Sequence, residues 1–237
     1  MMLLNSFQFN YAYFCKKFTL AKKAIIVGAS GLIGSNLLQI LLEEDYYDQV
    51  VILVRRELPV KHEKLTQLII DFDKLSDYSG QINGHAIFSC LGTTMSQTPD
   101  KNEYRKIDHD YPLHLAQLAL QNGVKQFHLV SAVGADAKSS TFYLRLKGET
   151  EQDIAKVGLP SLYIYQPSML KGRKDKVRFG ESFFNGLMTV VDPLLFGGLK
   201  KFHSIDAADV ARAMYNQSTD NETGKFKYQY NDIIKLK

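Results

Sequence analysis

At 237 residues and 45% apolar content, the chain is long enough to bury a full core in one α/β domain. Its formal net charge of +4 comes from residues 1–24, which hold four lysines and no acidic residue, so the remaining chain is balanced and argues against nucleic-acid binding. The chain has two cysteines, Cys15 and Cys90, which are too few for a disulfide framework and favour a reducing, cytosolic location. Its histidines lack the spacing typical of zinc sites, which argues against a metal centre.

Residues 1–21 are the least regular part of the sequence. Their apolar residues are interrupted by Asn5, Gln8 and Asn10, and no stretch reaches transmembrane length. The lysines follow the apolar residues, whereas a signal peptide would place them first. We interpret these residues as an N-terminal extension, either a variable tail or a segment that contacts a membrane surface or a protein partner.

From residue 24 onward, short apolar runs alternate with stretches of helical periodicity. The predicted strands are Ala24–Val27, Gln49–Val54, Leu65–Ile70, His85–Cys90, Gln126–Ser131 and Leu162–Tyr165. One predicted helix begins near Leu32, and two further predicted helices span Lys101–Gln121 and Thr141–Lys156. This alternation predicts right-handed βαβ units, and therefore an α/β fold with a doubly wound parallel sheet of Rossmann type. We expect residues 22–237 to form one domain in which a small C-terminal region, 169–204, caps the substrate side.

A glycine-rich loop of pattern GxxGxxG separates the first strand from the first helix. Glycines at this position let the backbone approach a pyrophosphate, whose charge is stabilised by the free N–H groups of the helix N-terminus. The position of the loop therefore predicts dinucleotide binding by Gly28, Ser30, Gly31, Leu32, Ile33 and Gly34.

The second strand ends in Arg55 and Arg56, where an NAD-binding protein normally has an acidic residue that accepts a hydrogen bond from the ribose 2′-OH. Two guanidinium groups can instead bind a 2′-phosphate, which favours NADP(H) over NAD(H). The alternative is that both are solvated charges at a strand end.

Two further segments follow strands at the same predicted edge of the sheet. Asp71 and Phe72 could hold the adenine, with the carboxylate accepting from its amino group, although a plain surface turn is an alternative. Leu91, Gly92 and Thr93 follow the fourth strand, where small residues let a cofactor pass close to the backbone.

Tyr143 and Lys147 lie four residues apart in a predicted helix, so their side chains share one face. A nearby cation stabilises a phenolate and lowers the phenol pKa from about 10, which suits proton transfer at neutral pH. A second YxxxK at Tyr13 and Lys17 shows that the spacing alone is weak evidence. Ser131, at a predicted strand end, could donate a hydrogen bond to a substrate carbonyl.

The glycine loop, the strand-end serine, YxxxK and the Gln-Pro-Ser sequence at 166–168 together resemble short-chain dehydrogenases of the extended or atypical kind. The longer stretches 89–94, 108–111 and 130–136 resemble, more narrowly, the Tat-interacting-protein oxidoreductases and their bacterial relatives. The resemblance covers residues 22–215.

This resemblance implies a role for each motif residue. Tyr143 would be the proton donor, Ser131 would orient the carbonyl, Lys147 would bind the nicotinamide ribose and lower the pKa of Tyr143, and Pro167 with Ser168 would lie near the carboxamide. Many family members also have an asparagine that holds a proton-relay water. Here the nearest match is Asp108, so the relay is in doubt.

The sequence therefore predicts an NADP(H)-dependent oxidoreductase that transfers a hydride to or from a small carbonyl or alcohol substrate. One alternative is an NADPH-binding regulatory or protein-interaction module with little or no turnover. A nucleotide-sugar epimerase is disfavoured by the short C-terminal region. By analogy, pairing of the helices at 101–121 and 141–156 would give a homodimer.

Overall fold

A computed structural model describes residues 21–172 and 202–237. Its main sheet has seven parallel strands in the order β3-β2-β1-β4-β5-β6-β9. These strands are β1 Lys23–Val27, β2 Gln49–Val54, β3 Leu65–Ile69, β4 Ala86–Ser89, β5 Gln126–Val130, β6 Ser161–Tyr165 and β9 Gly224–Tyr228. Two short parallel strands, β7 Leu170–Lys171 and β8 Ile205–Asp206, pair separately. Almost all of the predicted N-terminal extension and most of the predicted cap lie outside the described residues.

Helices cover both faces of the sheet, as the strand and helix alternation predicts. They are α1 Leu32–Glu43, α2 Lys101–Arg105, α3 Tyr111–Gln121, α4 Phe142–Val157, α5 Ala207–Ser218 and α6 Tyr230–Leu236. A 3₁₀-helical segment spans Phe72–Gln81, and a π-helical turn, Lys106–Asp110, joins α2 to α3. No described helix is both long and apolar enough to cross a membrane.

Successive side chains of each strand enter two different cores, because strand residues point alternately to opposite faces. In β1, Ala24 and Ile26 pack on the side of α1 and α5, whereas Ile25 and Val27 pack on the side of α3 and α4. A strand buried on both faces has to be apolar throughout, which explains the continuous apolar runs in the sequence.

The predicted fold class is confirmed, and all six predicted strands are present with ends shifted by one residue at most. The long helix predicted for 101–121 is present but contains the π-helical turn. Strand β9 and helices α5 and α6 were not predicted from the sequence. In β9 the exposed Lys225 and Lys227 alternate with partly buried residues, since this strand lies at the sheet edge.

Gly148 lets α4 pack directly against the loop that follows β5. A Cβ atom at this position would lie 2.2 Å from the backbone nitrogen of Ala137 and 2.3 Å from the carbonyl carbon of Asp136. Backbone atoms cannot move aside as a flexible side chain can. The residue before it, Lys147, is therefore held in a fixed position relative to this loop.

We expect Gly148→Ala to lower the free energy of unfolding by about 1–3 kcal/mol, because overpacking must displace the helix or the loop. Urea unfolding measures the change. The matched control is Gly80→Ala, since no atom lies within 4 Å of a Cβ built there. If the two variants are equally stable, the close packing of α4 on the loop is contradicted.

Candidate active site

A cavity of about 1480 Å³ opens at the carboxyl ends of the central strands. The strand order reverses between β1 and β4, and open parallel sheets bind ligands at such a switch point. Most of the predicted site residues line this cavity: Gly28, Ser30, Gly31, Leu32, Ile33, Arg55, Arg56, Phe72, Leu91, Gly92, Thr93, Ser131, Tyr143, Lys147, Pro167 and Ser168. Two predicted residues, Gly34 and Asp71, are not among the lining residues.

The glycine loop is shaped by close backbone packing. Gly28 has a φ of 86°, and a Cβ there would lie 2.5 Å from the carbonyl oxygen of Cys90 at the end of β4. The Gly31 N–H donates to the Gly28 carbonyl at 2.9 Å. Gly34 packs α1 against the loop, because a Cβ on it would lie 2.2 Å from the Gly28 oxygen. Its role is therefore to bring the helix close to the loop.

Helix α1 begins with free backbone donors that face the cavity. No side chain caps its N-terminus and its first turn contains no acidic residue. The first N–H groups of a helix have no intrahelical partner, and those of Leu32 and Ile33 belong to residues that line the cavity. Unpaired donors and the positive end of the helix dipole together fit a pyrophosphate.

Arg55 and Arg56 lie just beyond β2, at the rim of the cavity. Both are exposed, and neither makes a hydrogen bond or an ion pair with another residue in the described part of the chain. Their guanidinium groups are free to bind an anion at the end of the cavity that lies beside β2.

The pocket beside β3 is aromatic. Phe72 and Tyr111 both line the cavity, with ring centroids 5.5 Å apart. Asp71 is not among the residues that line the cavity, and its Oδ1 accepts from the Asp73 N–H at 3.0 Å and caps the 3₁₀-helical segment. Tyr111 belongs to the family-like stretch 108–111 and was not predicted to line the cavity. Its place one turn beyond Asp108 is the signal that could have assigned it to the cavity.

A buried ion pair holds Lys147. The Lys147 Nζ lies 2.8 Å from Oδ1 of Asp108, and the two residues are 6% and 1% exposed. The second carboxylate oxygen of Asp108 accepts from the Thr93 N–H at 2.8 Å, and its main-chain carbonyl accepts from Thr150. The π-helical turn brings Asp108 to this place, as π-helical turns often do at functional sites. Where the sequence analysis left a water relay in doubt, the structure has a direct ion pair.

Tyr143 lines the cavity one turn before Lys147 and is 38% exposed. Burial of its phenol raises the pKa, the positive charge of Lys147 lowers it, and the negative charge of Asp108 raises it. The net pKa lies above the ordinary value, so the predicted effect of Lys147 is present but outweighed. The phenol therefore keeps its proton at neutral pH.

Ser131 is oriented by Glu151, which was not among the predicted site residues. Its hydroxyl donates to Oε1 of Glu151 at 2.5 Å, so the predicted donation to a substrate carbonyl is not available in this arrangement. Glu151 is four residues beyond Lys147 and eight beyond Tyr143, on the same face of α4. That spacing is the signal that could have found it.

Ser168 is also occupied, since its hydroxyl donates to the His203 carbonyl. The carbonyl of Pro167 accepts from the Val133 N–H at 3.0 Å and fixes the loop after β6 against the loop after β5. Across residues 21–172 and 202–237, no cluster of three or more histidine, cysteine or acidic side chains could hold a metal ion.

The chain matches one protein family and is similar to several named proteins. Residues 28–221 match the family described as NAD(P)H-binding. The chain is 32% identical to the protein HTATIP2 of Rattus norvegicus over 90% of this chain and 88% of that one. It is 31% identical to the protein FMP52 of Saccharomyces cerevisiae, named mitochondrial, over 70% of this chain and 72% of that one.

Solved structures show the same fold at low identity. MoeE5 in complex with UDP-glucose and NAD aligns with a TM-score of 0.66 and 16% identity, over 90% of this chain and 80% of that one. UDP-glucuronic acid 4-epimerase from Bacillus cereus, in complex with NAD, aligns with a TM-score of 0.64 and 16% identity, over 87% of this chain and 77% of that one.

The expected cytosolic location is wrong. Three FMP52 relatives at about 30% identity are named mitochondrial. The expectation rested on the small number of cysteines, which shows only that the fold needs no disulfides and does not distinguish one reducing compartment from another.

Proposed function

The chain belongs to the NAD(P)H-binding family, in the group of Tat-interacting-protein oxidoreductases, and we propose that it is an NADP(H)-dependent oxidoreductase. In the proposed reaction it interconverts a small carbonyl compound and the corresponding alcohol. The observation that carries the proposal is the shared cavity. Tyr143 and Lys147 line the same space as the glycine loop and the free end of α1. A cofactor in this space would have an acid-base pair at one end and an anion site in the middle.

The cofactor fits the residues present. The uncapped end of α1 would bind the pyrophosphate, Arg55 and Arg56 the 2′-phosphate, and Phe72 with Tyr111 the adenine. Lys147 forms an ion pair with Asp108, and its ammonium group has three N–H donors. It could therefore also donate to the hydroxyls of the nicotinamide ribose. When bound, the reduced cofactor supplies a hydride and the oxidised cofactor accepts one.

Tyr143 moves the proton. In reduction, a C–H bond forms at the carbonyl carbon, the π electrons of C=O move to the oxygen, and that oxygen takes the phenol proton of Tyr143. The phenolate is then reprotonated from water at the open cavity. In oxidation the phenolate takes the alcohol proton as the C–H bond breaks. The raised pKa of Tyr143 means that the phenol is protonated at neutral pH, as the acid role requires.

We expect Arg55→Ala and Arg56→Ala each to weaken NADPH binding at least tenfold and to leave NADH binding unchanged, because only NADPH has the 2′-phosphate. Calorimetric titration with both cofactors measures this. Lys61→Ala is the matched control, since it removes an exposed positive charge that does not line the cavity. Equal binding of the two cofactors by the unmodified protein would count against NADP(H).

The function itself is tested by screening carbonyl compounds for NADPH oxidation, followed at the absorbance of the reduced cofactor. Turnover lost in Tyr143→Phe supports the oxidoreductase. Tight NADPH binding with no turnover across the screen would support the regulatory alternative instead. If neither NADPH nor NADH binds, both the proposed oxidoreductase and the regulatory alternative are contradicted.

A further inference from the structure

Glu151 is a buried carboxylate beside the cavity that neither proton transfer nor cofactor binding uses. It is 4% exposed and lies on the face of α4 that carries Tyr143 and Lys147. Its Oε1 accepts from the Ser131 hydroxyl at 2.5 Å and from Gln166 Nε2 at 2.8 Å. Its Oε2 lies 2.7 Å from the Nζ of Lys227 on β9.

The direction of each hydrogen bond is set by its neighbours. Lys227 can only donate. Gln166 accepts from Gln229 through its amide oxygen at 2.9 Å, so its amide nitrogen is the group that faces Glu151. Gln166 donates to Oε1 and Lys227 lies at Oε2, and the Glu151 carboxylate has no proton of its own to donate, so Ser131 is the donor in the remaining contact.

A serine hydroxyl has one proton and two acceptor lone pairs. Because the proton of Ser131 is directed to Glu151, the oxygen is left as an acceptor at the cavity wall. A carbonyl has no proton to offer such an acceptor, whereas an alcohol has one.

We infer that Glu151 is a positioning residue that makes Ser131 a hydrogen-bond acceptor, so that the site binds the alcohol form of its substrate in preference to the carbonyl form. This rests on the proposed oxidoreductase function and deepens it. Of Ser131 and Tyr143, only Tyr143 can then donate a hydrogen bond to the carbonyl oxygen.

The test measures binding without turnover. An alcohol is titrated into the NADPH complex and the matched carbonyl into the NADP⁺ complex, since neither pair can react. Three probe pairs of increasing size are used, each with a ketone as the carbonyl: 2-propanol and acetone, cyclohexanol and cyclohexanone, 1-phenylethanol and acetophenone. The alcohol-to-carbonyl affinity ratio is compared between variants, so that the contribution of the cofactor cancels.

We expect Glu151→Gln to lower this ratio about tenfold, equivalent to about 1.4 kcal/mol. The side-chain amide can donate to Ser131 and release its proton for the carbonyl. Ser131→Ala should lower the ratio too, and adding Glu151→Gln to it should change nothing more, since coupled residues are not additive. Ser131→Ala also serves if Glu151→Gln fails to fold.

Glu149→Gln is the matched control, because Glu149 is a neighbouring carboxylate on α4 that pairs with Arg105 and does not line the cavity. It should keep the ratio of the unmodified protein. If the probes bind and Glu151→Gln has the same ratio as the unmodified protein, the inferred role of Glu151 is overturned, while the proposed oxidoreductase function is not. Failure of all six probes to bind the cofactor complexes would overturn the proposed substrate class, and the inference with it.

Discussion

Replacement of Tyr143 by phenylalanine should reduce turnover by about 10²–10⁴-fold, the usual contribution of a positioned acid-base group. The phenol is the proton donor in the proposed reduction, and Lys147, which binds the cofactor ribose, is left in place by this change. NADPH affinity should therefore stay within a factor of two or three, on the order of 0.5 kcal/mol. Steady-state rates on the best substrate from the screen, with calorimetry of NADPH binding, measure the two quantities.

The second YxxxK of the chain supplies the matched control. Tyr13→Phe makes the same chemical change at a tyrosine that shares the spacing but lies far from the other motifs in the sequence. It should retain full turnover. Unchanged turnover in Tyr143→Phe would mean that the proton comes from elsewhere and that the proposed mechanism is wrong.

Replacement of Lys147 by methionine should lower the free energy of unfolding by roughly 3–5 kcal/mol, because it leaves the carboxylate of Asp108 buried without its counter-charge. Methionine is apolar and similar in length, so little packing volume is lost. The destabilisation should come from the unpaired charge. Urea unfolding followed by circular dichroism measures it.

A second substitution separates charge from packing. Asp108→Asn keeps an oxygen that can accept from the Thr93 N–H but removes the negative charge. The double variant Lys147→Met with Asp108→Asn should therefore regain most of the stability lost in the single variant. If the double variant is no more stable than Lys147→Met alone, the ion pair is not the source of the effect.

The sequence predicted the parts of this molecule that depend on local pattern. Ile25 and Val27 alternate with Ala24 and Ile26 in a strand buried on both faces, so the apolar run is continuous and easily recognised. Gly28 occupies a turn that only glycine fits, which makes the loop visible as a motif. Fold class and the cofactor cavity followed from such signals.

What the sequence could not predict depends on partners distant in the chain. The proton of Ser131 is directed by Glu151, twenty residues away, and the direction is fixed in turn by Lys227 on another strand. Asp71 does not line the cavity, and its carboxylate caps its own helical segment. Donor and acceptor roles of this kind follow from tertiary neighbours and not from residue type.

Strand β9 is the seventh strand of the main sheet in chain order. Lys227 on this strand pairs with Glu151, and Gln229, the residue after the strand ends, donates to Gln166. A ribosome makes the chain from its N-terminus, so the cavity walls of β1, β2, β4, β5 and β6 emerge before these two side chains do. A nascent chain interrupted before residue 224 would hold the glycine loop, Tyr143, Lys147 and the Ser131–Glu151 pair, but it would lack Lys227 and Gln229, which fix the direction of the hydrogen bond in that pair. The inferred preference for an alcohol is therefore complete only after the last strand of the sheet has been synthesised.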